Sequence, residues 1–171
     1  MLVVMMGLPG TGKSAISVVV AKAIGVPVFS VDPLEATLIP AGITREQRSG
    51  DAAYDLALML ARSQLDLGQS AVVDAVNSIE IARSWWRELA AEFTVPRVLI
   101  ECICSDAMLH RQRLESRRRN ISGFIDEPSW ADVEARRVEY EPCDEDRLIV
   151  DAVEELETNC RSAVEFALRF Q

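Results

Sequence analysis

Leu2-Val3-Val4-Met5-Met6 runs directly into Gly7-Leu8-Pro9-Gly10-Thr11-Gly12-Lys13-Ser14, an apolar strand followed by the pattern G-x-x-x-x-G-K-[ST]. Each residue type in that pattern has a physical task. Gly10 and Gly12 let the backbone curl so that successive N–H groups face inward toward phosphate oxygens. A helix predicted over about Lys13 to Ile24 presents its positive end to the same anion. Lys13 supplies a point charge for β- and γ-phosphates, Thr11 belongs to the cradle, and Ser14 offers a hydroxyl to Mg²⁺. A chance match in a chain of ordinary glycine content has odds of roughly one in two hundred. The preceding strand and following helix lower them further. The stretch therefore predicts a nucleoside triphosphate site with Mg²⁺.

Outward from this point, short apolar runs alternate with amphipathic stretches. The runs are Leu2–Met6, Val26–Val31, Ser70–Val76, Val98–Cys104 and Arg147–Asp151. Near-continuous apolar character fits strands buried on both faces, as parallel sheets require. Between them Leu56, Leu60 and Leu65 recur at helical spacing, as do Trp85, Leu89 and Phe93. Asn77 with Glu80 reads as a helix N-cap, and Ser129 with Asp132 as a capping box opening a helix near Trp130. Trp85-Trp86 reads as rim and core, and Thr158–Phe170 as a closing amphipathic helix. Fivefold strand–helix alternation predicts a doubly wound α/β sheet whose chemistry lies beyond the carboxyl ends of its strands.

Composition sets limits. The 171 residues form one domain that buries roughly 70% of its unfolded surface without disulfides or metals. With 18 Lys and Arg against 27 Asp and Glu, the net charge of −9 opposes general binding to phosphate backbones. The opening segment has no basic n-region, and Gly7 and Pro9 interrupt it. No apolar run approaches a membrane span, so a cytoplasmic protein is expected. Cys102, Cys104, Cys143 and Cys160 lack CxxC spacing and read as reduced packing residues. The single histidine, His110, reads as a packing or surface residue.

Two further carboxylates and a cationic cluster refine the chemistry. Val28-Phe29-Ser30-Val31-Asp32 ends in an acid that would emerge beside the phosphate cradle, positioned as a general base for a substrate hydroxyl. The alternative for Asp32 is a cap or turn residue before Pro33. Ala71-Val72-Val73-Asp74 is an apolar strand ending in Asp, the form of a Mg²⁺-holding carboxylate, or else an ordinary Asp turn. Arg111, Arg113, Arg117, Arg118 and Arg119 crowd nine positions on a helix predicted to begin near Asp106. Arginine forks there would stabilise charge spread over a transferring phosphoryl group. A helix followed by a glycine-containing loop suits a mobile lid, whereas a solvated face paired with acids such as Glu115 is the bland alternative.

Together these residues resemble the small P-loop kinases of the group that includes chloramphenicol phosphotransferase, the zeta-toxin kinases and the kinase domain of polynucleotide kinase. The resemblance rests on Gly7–Ser14, Phe29–Glu35, Val72–Asn77, the arginine-rich helix and Leu148–Asp151. It implies a five-stranded parallel sheet in the order 2-3-1-4-5, a lid over about residues 106–140, and Asp32 as catalytic base. It also implies lid arginines at the ATP phosphates: Arg113 and Arg117 as catalytic groups and Arg118 as a nucleotide contact. Adenine is expected near Asp151–Glu157, and the stretch from Leu34 to Ala53, with Arg45 and Arg48, is expected to line the acceptor pocket. The leading expectation is an ATP-dependent kinase of a small-molecule hydroxyl, on an antibiotic, sugar or nucleotide-sugar. The alternatives are a polynucleotide 5′-hydroxyl kinase, disfavoured by the acidic charge, and a non-catalytic ATP-binding regulatory module.

Overall fold

A computed structural model describes residues 1–117 and 127–171 of the chain. Strand β1 (Leu2–Met6) is fully buried along its length and alternates its side chains between two cores. Leu2, Val4 and Met6 face one side of the sheet, and Val3 and Met5 the other. It pairs in parallel with β3 (Ala71–Asp74) on one edge and β4 (Arg97–Ile103) on the other. Outside these lie β2 (Val28–Ser30) and β5 (Leu148–Asp151), completing the order β2-β3-β1-β4-β5. This is the expected order.

Helices α1 (Lys13–Ile24) and α7 (Leu156–Leu168) cover one face, burying Ile16, Val20, Ala163 and Ala167 against Val72, Ile100 and Val150. Helices α3 (Ser49–Asp66) and α4 (Glu80–Glu92) cover the other. On α3 the buried stripe is Ala53, Ala57, Ala61 and Leu65, while Leu56 and Leu60 are half-exposed beside it. Leucine spacing thus indicates the helix but not its inner face, because short alanine side chains bring α3 close to the sheet. On α4, Trp86 is fully buried and Trp85 lies at the rim, packing edge-on to Tyr54. Helix α2 (Val31–Leu38) follows β2 directly. Helices α5 (Ala107–Ser116) and α6 (Trp130–Val138) flank the carboxyl end of β4. Ser129 and Asp132 form the expected capping box of α6. Among the described residues no helix is long and apolar enough to cross a membrane, and all four cysteines are free. Burial pushes the Cys102 thiol up to about 12, consistent with a packing role.

Three expectations need correction. Strand β2 stops at Ser30 rather than Val31, because Val31-Asp32-Pro33 already forms the first turn of α2. Proline is tolerated there, since first-turn N–H groups lack helical partners anyway. Asn77 is not a helix cap; the N-cap position of α4 is Ile79. Asn77 is buried with a φ of 49°. It donates from Nδ2 to the Met5 carbonyl (2.7 Å) and accepts from the Trp86 indole (2.9 Å). The arginine-rich helix ends at Ser116, leaving Arg117 in extended backbone. Arg118, Arg119 and residues 120–126 lie outside the described residues.

Gly7 shows how tightly the first strand is held. Its φ is 132°, and a Cβ built there would stand 2.1 Å from the carbonyl oxygen of Cys102 on β4. Among the described residues nothing lies within 4 Å of a Cβ at Gly12, where the φ of 89° is the obstacle to a side chain. Gly7→Ala is therefore expected to cost more than about 3 kcal/mol, and Gly12→Ala roughly 1–2 kcal/mol. Urea denaturation of the two variants measures the difference, and equal midpoints would refute this account of the strand end.

Candidate active site

The cradle is built at the end of β1. Gly7 N–H donates to the Val76 carbonyl (3.0 Å), fixing the loop to the end of β3. Thr11 is buried and its hydroxyl donates to the Leu8 carbonyl (2.8 Å). Lys13 is buried as well and its Nζ reaches the same carbonyl (3.1 Å). Helix α1 starts at Gly12 with no side-chain cap and no acid in its first turn. Its orphan N–H groups and positive end therefore remain available to an anion. Cradle, lysine and uncapped helix fit a nucleotide's phosphates on this chain's own geometry.

The remaining candidates converge on the same place. One narrow cleft is lined by Pro9, Lys13, Ser14, Asp32, Asp74, Ala75, Val76 and Arg117. A neighbouring cleft of about 280 Å³ shares Lys13, Ser14 and Arg117, and adds Gly10, Gly12, Ala15 and Arg113. Asp74 is the last residue of β3 and is buried; its Oδ2 accepts from the Ser30 hydroxyl at the end of β2 (3.2 Å). Asp32, half-buried, enters from the first turn of α2. Ser14 and Asp74 present a hydroxyl and a carboxylate to one space, a donor set that fits Mg²⁺, a cation commonly held by one or two protein oxygens together with phosphates. Among the described residues no group of three or more His, Cys, Asp or Glu side chains is placed to hold a metal ion.

The arginines divide. Arg113, in the last turn of α5, donates to the Ala152 carbonyl in the loop after β5 and faces the larger cleft. Arg117 lines both clefts and pairs with Glu127 (3.1 Å). Arg111 points away and pairs with Glu115 on the exposed side of the helix (2.7 Å), so for this residue the solvated-face alternative holds. Arg45 approaches Glu35 (4.0 Å), which accepts from the Ser49 hydroxyl (2.7 Å); Arg48 pairs with the neighbouring Asp51.

Sequence reasoning overlooked Tyr54 and Ser30. The Tyr54 hydroxyl accepts from the Asn77 N–H (3.2 Å). Burial, reinforced by the Asp32 and Asp74 charges, pushes its pKa up to about 12, so it stays neutral beside the two acids. Its place on α3 offers no spacing signal. Ser30 stands two residues before Asp32, where register with Asp74 in the paired strand would have indicated it.

A phosphate cradle at the end of the first strand of a 2-3-1-4-5 sheet defines a P-loop nucleotide-binding protein with the fold of the small P-loop kinases. A family model for the AAA domain, AAA_33, matches residues 2–140, and the chain belongs to that family. No curated protein matches the sequence. Among solved structures, a candidate kinase from Chloroflexus aurantiacus superposes with a TM-score of 0.79 at 22% identity, over 99% of this chain and 97% of that one. A gluconokinase from Sinorhizobium meliloti has a TM-score of 0.69 at 21% identity, covering 98% and 91%. The APS kinase of Mycobacterium tuberculosis in complex with AMPPNP and APS has a TM-score of 0.70 at 18% identity, covering 98% and 96%. At these identities the likeness is one of fold.

Lys13→Ala is expected to weaken AMPPNP binding by more than about tenfold, since a charge-assisted contact is worth roughly 1.5–3 kcal/mol. Titration calorimetry reads the affinity, and a wild-type value would remove Lys13 from the phosphate site.

Proposed function

We propose that the protein is an ATP-dependent kinase that transfers the γ-phosphate to a hydroxyl of a small molecule, with Asp32 as general base. The observation that carries this reading is the meeting of Lys13, Ser14, Asp32, Asp74 and Arg117 around one cleft. A binding module needs the cradle but not a second carboxylate facing it.

In this reading Gly10, Thr11, Gly12 and Lys13 bind the ATP phosphates. Ser14 and Asp74 hold Mg²⁺, which when bound offsets charge on the β- and γ-phosphates. Asp32 takes the proton of the acceptor hydroxyl as its oxygen forms the new bond to the γ-phosphorus and the bond to the ADP oxygen breaks. Lys13, Arg113 and Arg117 offset charge on the transferring group, with Arg118 as a further nucleotide contact. The neutral Tyr54 hydroxyl and the buried wall of α3 exclude water from the acceptor side. The lid in this reading spans about residues 106–140, of which 118–126 lie outside the described residues. The acidic surface supports a small acceptor over a polynucleotide, and the solved gluconokinase and APS kinase share the fold.

Asp32→Asn is expected to lower acceptor phosphorylation by roughly 10²–10⁴-fold, with AMPPNP affinity within about twofold of wild type. ADP release across a panel of sugars, nucleosides, antibiotics and 5′-hydroxyl oligonucleotides measures it. Turnover on oligonucleotides alone would overturn the small-molecule acceptor, and nucleotide binding without turnover on any acceptor would leave the regulatory module.

A further inference from the structure

His110 is fully buried against the phosphate loop, in the wall of a cavity of about 280 Å³ that it shares with Leu8, Thr11, Glu101, Arg137 and Tyr140. Its Nε2 lies 2.7 Å from the carbonyl oxygen of Pro9, inside the G-x-x-x-x-G-K-S stretch. Its Nδ1 lies 3.1 Å from Nη2 of Arg137 on α6. These partners determine the tautomer. A carbonyl only accepts, so Nε2 carries the proton; a guanidinium only donates, so Nδ1 is bare. The ring is packed as closely as it is bonded. A Cβ at Gly10 would stand 3.2 Å from Cδ2 and Nε2 of His110, and Trp130 meets the ring edge-on at 5.3 Å between centroids. Arg137 lies over Trp130 (5.8 Å) and is held by Glu134 (3.0 Å).

We propose that His110 is a positioning residue for the phosphate cradle, a neutral strut through which α5 and α6 hold the Pro9–Gly10 backbone in its anion-receiving shape. The inference rests on the reading of Gly7–Ser14 as a nucleotide site. It adds that the cradle is set by the two helices that bracket residues 118–126. Nucleotide affinity thus depends on the placement of α6, although no residue of that helix lines the phosphate clefts.

The strut is sensitive to protons in one direction. Among the described residues, the charged groups acting on His110 include Arg137 and Glu134 from α6 and Lys13 from the start of α1, and Glu101 of β4 and Tyr140 line the same cavity. Burial holds its pKa below the ordinary value of 6.5; the Pro9 contact opposes this, and Arg137 and Lys13 reinforce it. The ring is therefore neutral at pH 7. A second proton would go on Nδ1, turning the acceptor of the Arg137 bond into a donor and adding a cation beside two others. The contact is complete above pH 6.5 and is lost as pH falls through the lowered pKa of the folded state.

Three variants test this: His110→Leu, His110→Gln, which keeps a donor for Pro9 but takes up no proton, and Arg137→Met. In ligand-free protein, hydrogen exchange at the amides of Gly10, Thr11 and Gly12 is expected to quicken about tenfold in His110→Leu and little in His110→Gln. AMPPNP affinity at pH 8 should fall about tenfold in the first and stay within about threefold in the second. Between pH 8 and 5 the wild type should lose affinity relative to His110→Gln, whereas Arg137→Met, which has no Nδ1 bond to lose, should start lower at pH 8 and change less over the range. Wild-type exchange and affinity in His110→Leu would overturn the proposal, as would an unaltered pH profile in His110→Gln. If His110→Leu does not fold, the other two variants decide through their profiles. Absence of AMPPNP binding in the wild type would refute the nucleotide reading, while the exchange rates of the ligand-free proteins would still judge the strut.

Discussion

The structure depends on the pressure of the Gly7 backbone against the Cys102 carbonyl, where the central strand leaves the sheet. β1 is buried on both faces and hydrogen-bonded on both edges, so the chain can only exit at its carboxyl end. There it turns within a few residues, with β4 at van der Waals distance. This confinement puts the loop, and not a side chain, at the centre of the site. Backbone N–H groups become the anion receptor, and the lysine and serine that follow are placed by the first turn of α1.

Around that loop the other strand ends are pinned by buried polar contacts. Asn77 joins β1, α3 and α4 through Met5, Tyr54 and Trp86. Arg83, fully buried, donates to the carbonyls of Asn77, Ser78, Glu141 and Pro142, tying the segment after α6 to the segment after β3. A buried guanidinium spread over four carbonyls meets its hydrogen-bonding needs where it could not be solvated. Lys13, Ser14, Asp32 and Asp74 are thus carried by strand ends and helix starts held by these contacts, and Arg113 and Arg117 by the end of α5. That suits chemistry governed by position and charge.

The strands and the cradle were legible because they follow from strong local patterns: an apolar run, a glycine motif, and apolar strands closing on acids. The sheet order came only from the family resemblance those residues carry, since local pattern does not say which strands are neighbours. Ser129 and Asp132 were legible for the same reason, since a capping box is written in four consecutive residues. Less was readable where a side chain's task is set by distant partners. Asn77 looks like a cap from its neighbours, but Trp86 and Met5 claim its amide inside the core. Asp32 was found as an acid beside the cradle, while its place in a helical turn was not, because Val31 is apolar enough to read as strand. Tyr54 and His110 gave no periodic signal; their contacts are with segments far away in the chain.

Helix α3 has a consequence for how such a protein can diversify. Its inner face is alanine at three successive turns, followed by Leu65, and lies close against β2 and β3. The back wall of the proposed acceptor site is therefore stiff, and almost any enlargement there would overpack the core. The stretch from Pro40 to Arg48, by contrast, is exposed throughout. Substitutions in it remove little buried area, so sequence drift can reshape this strip, which the family resemblance places beside the proposed acceptor pocket, while leaving folding untouched. New acceptor preferences would accumulate on that one strip of surface, with the phosphate machinery inherited unchanged behind it.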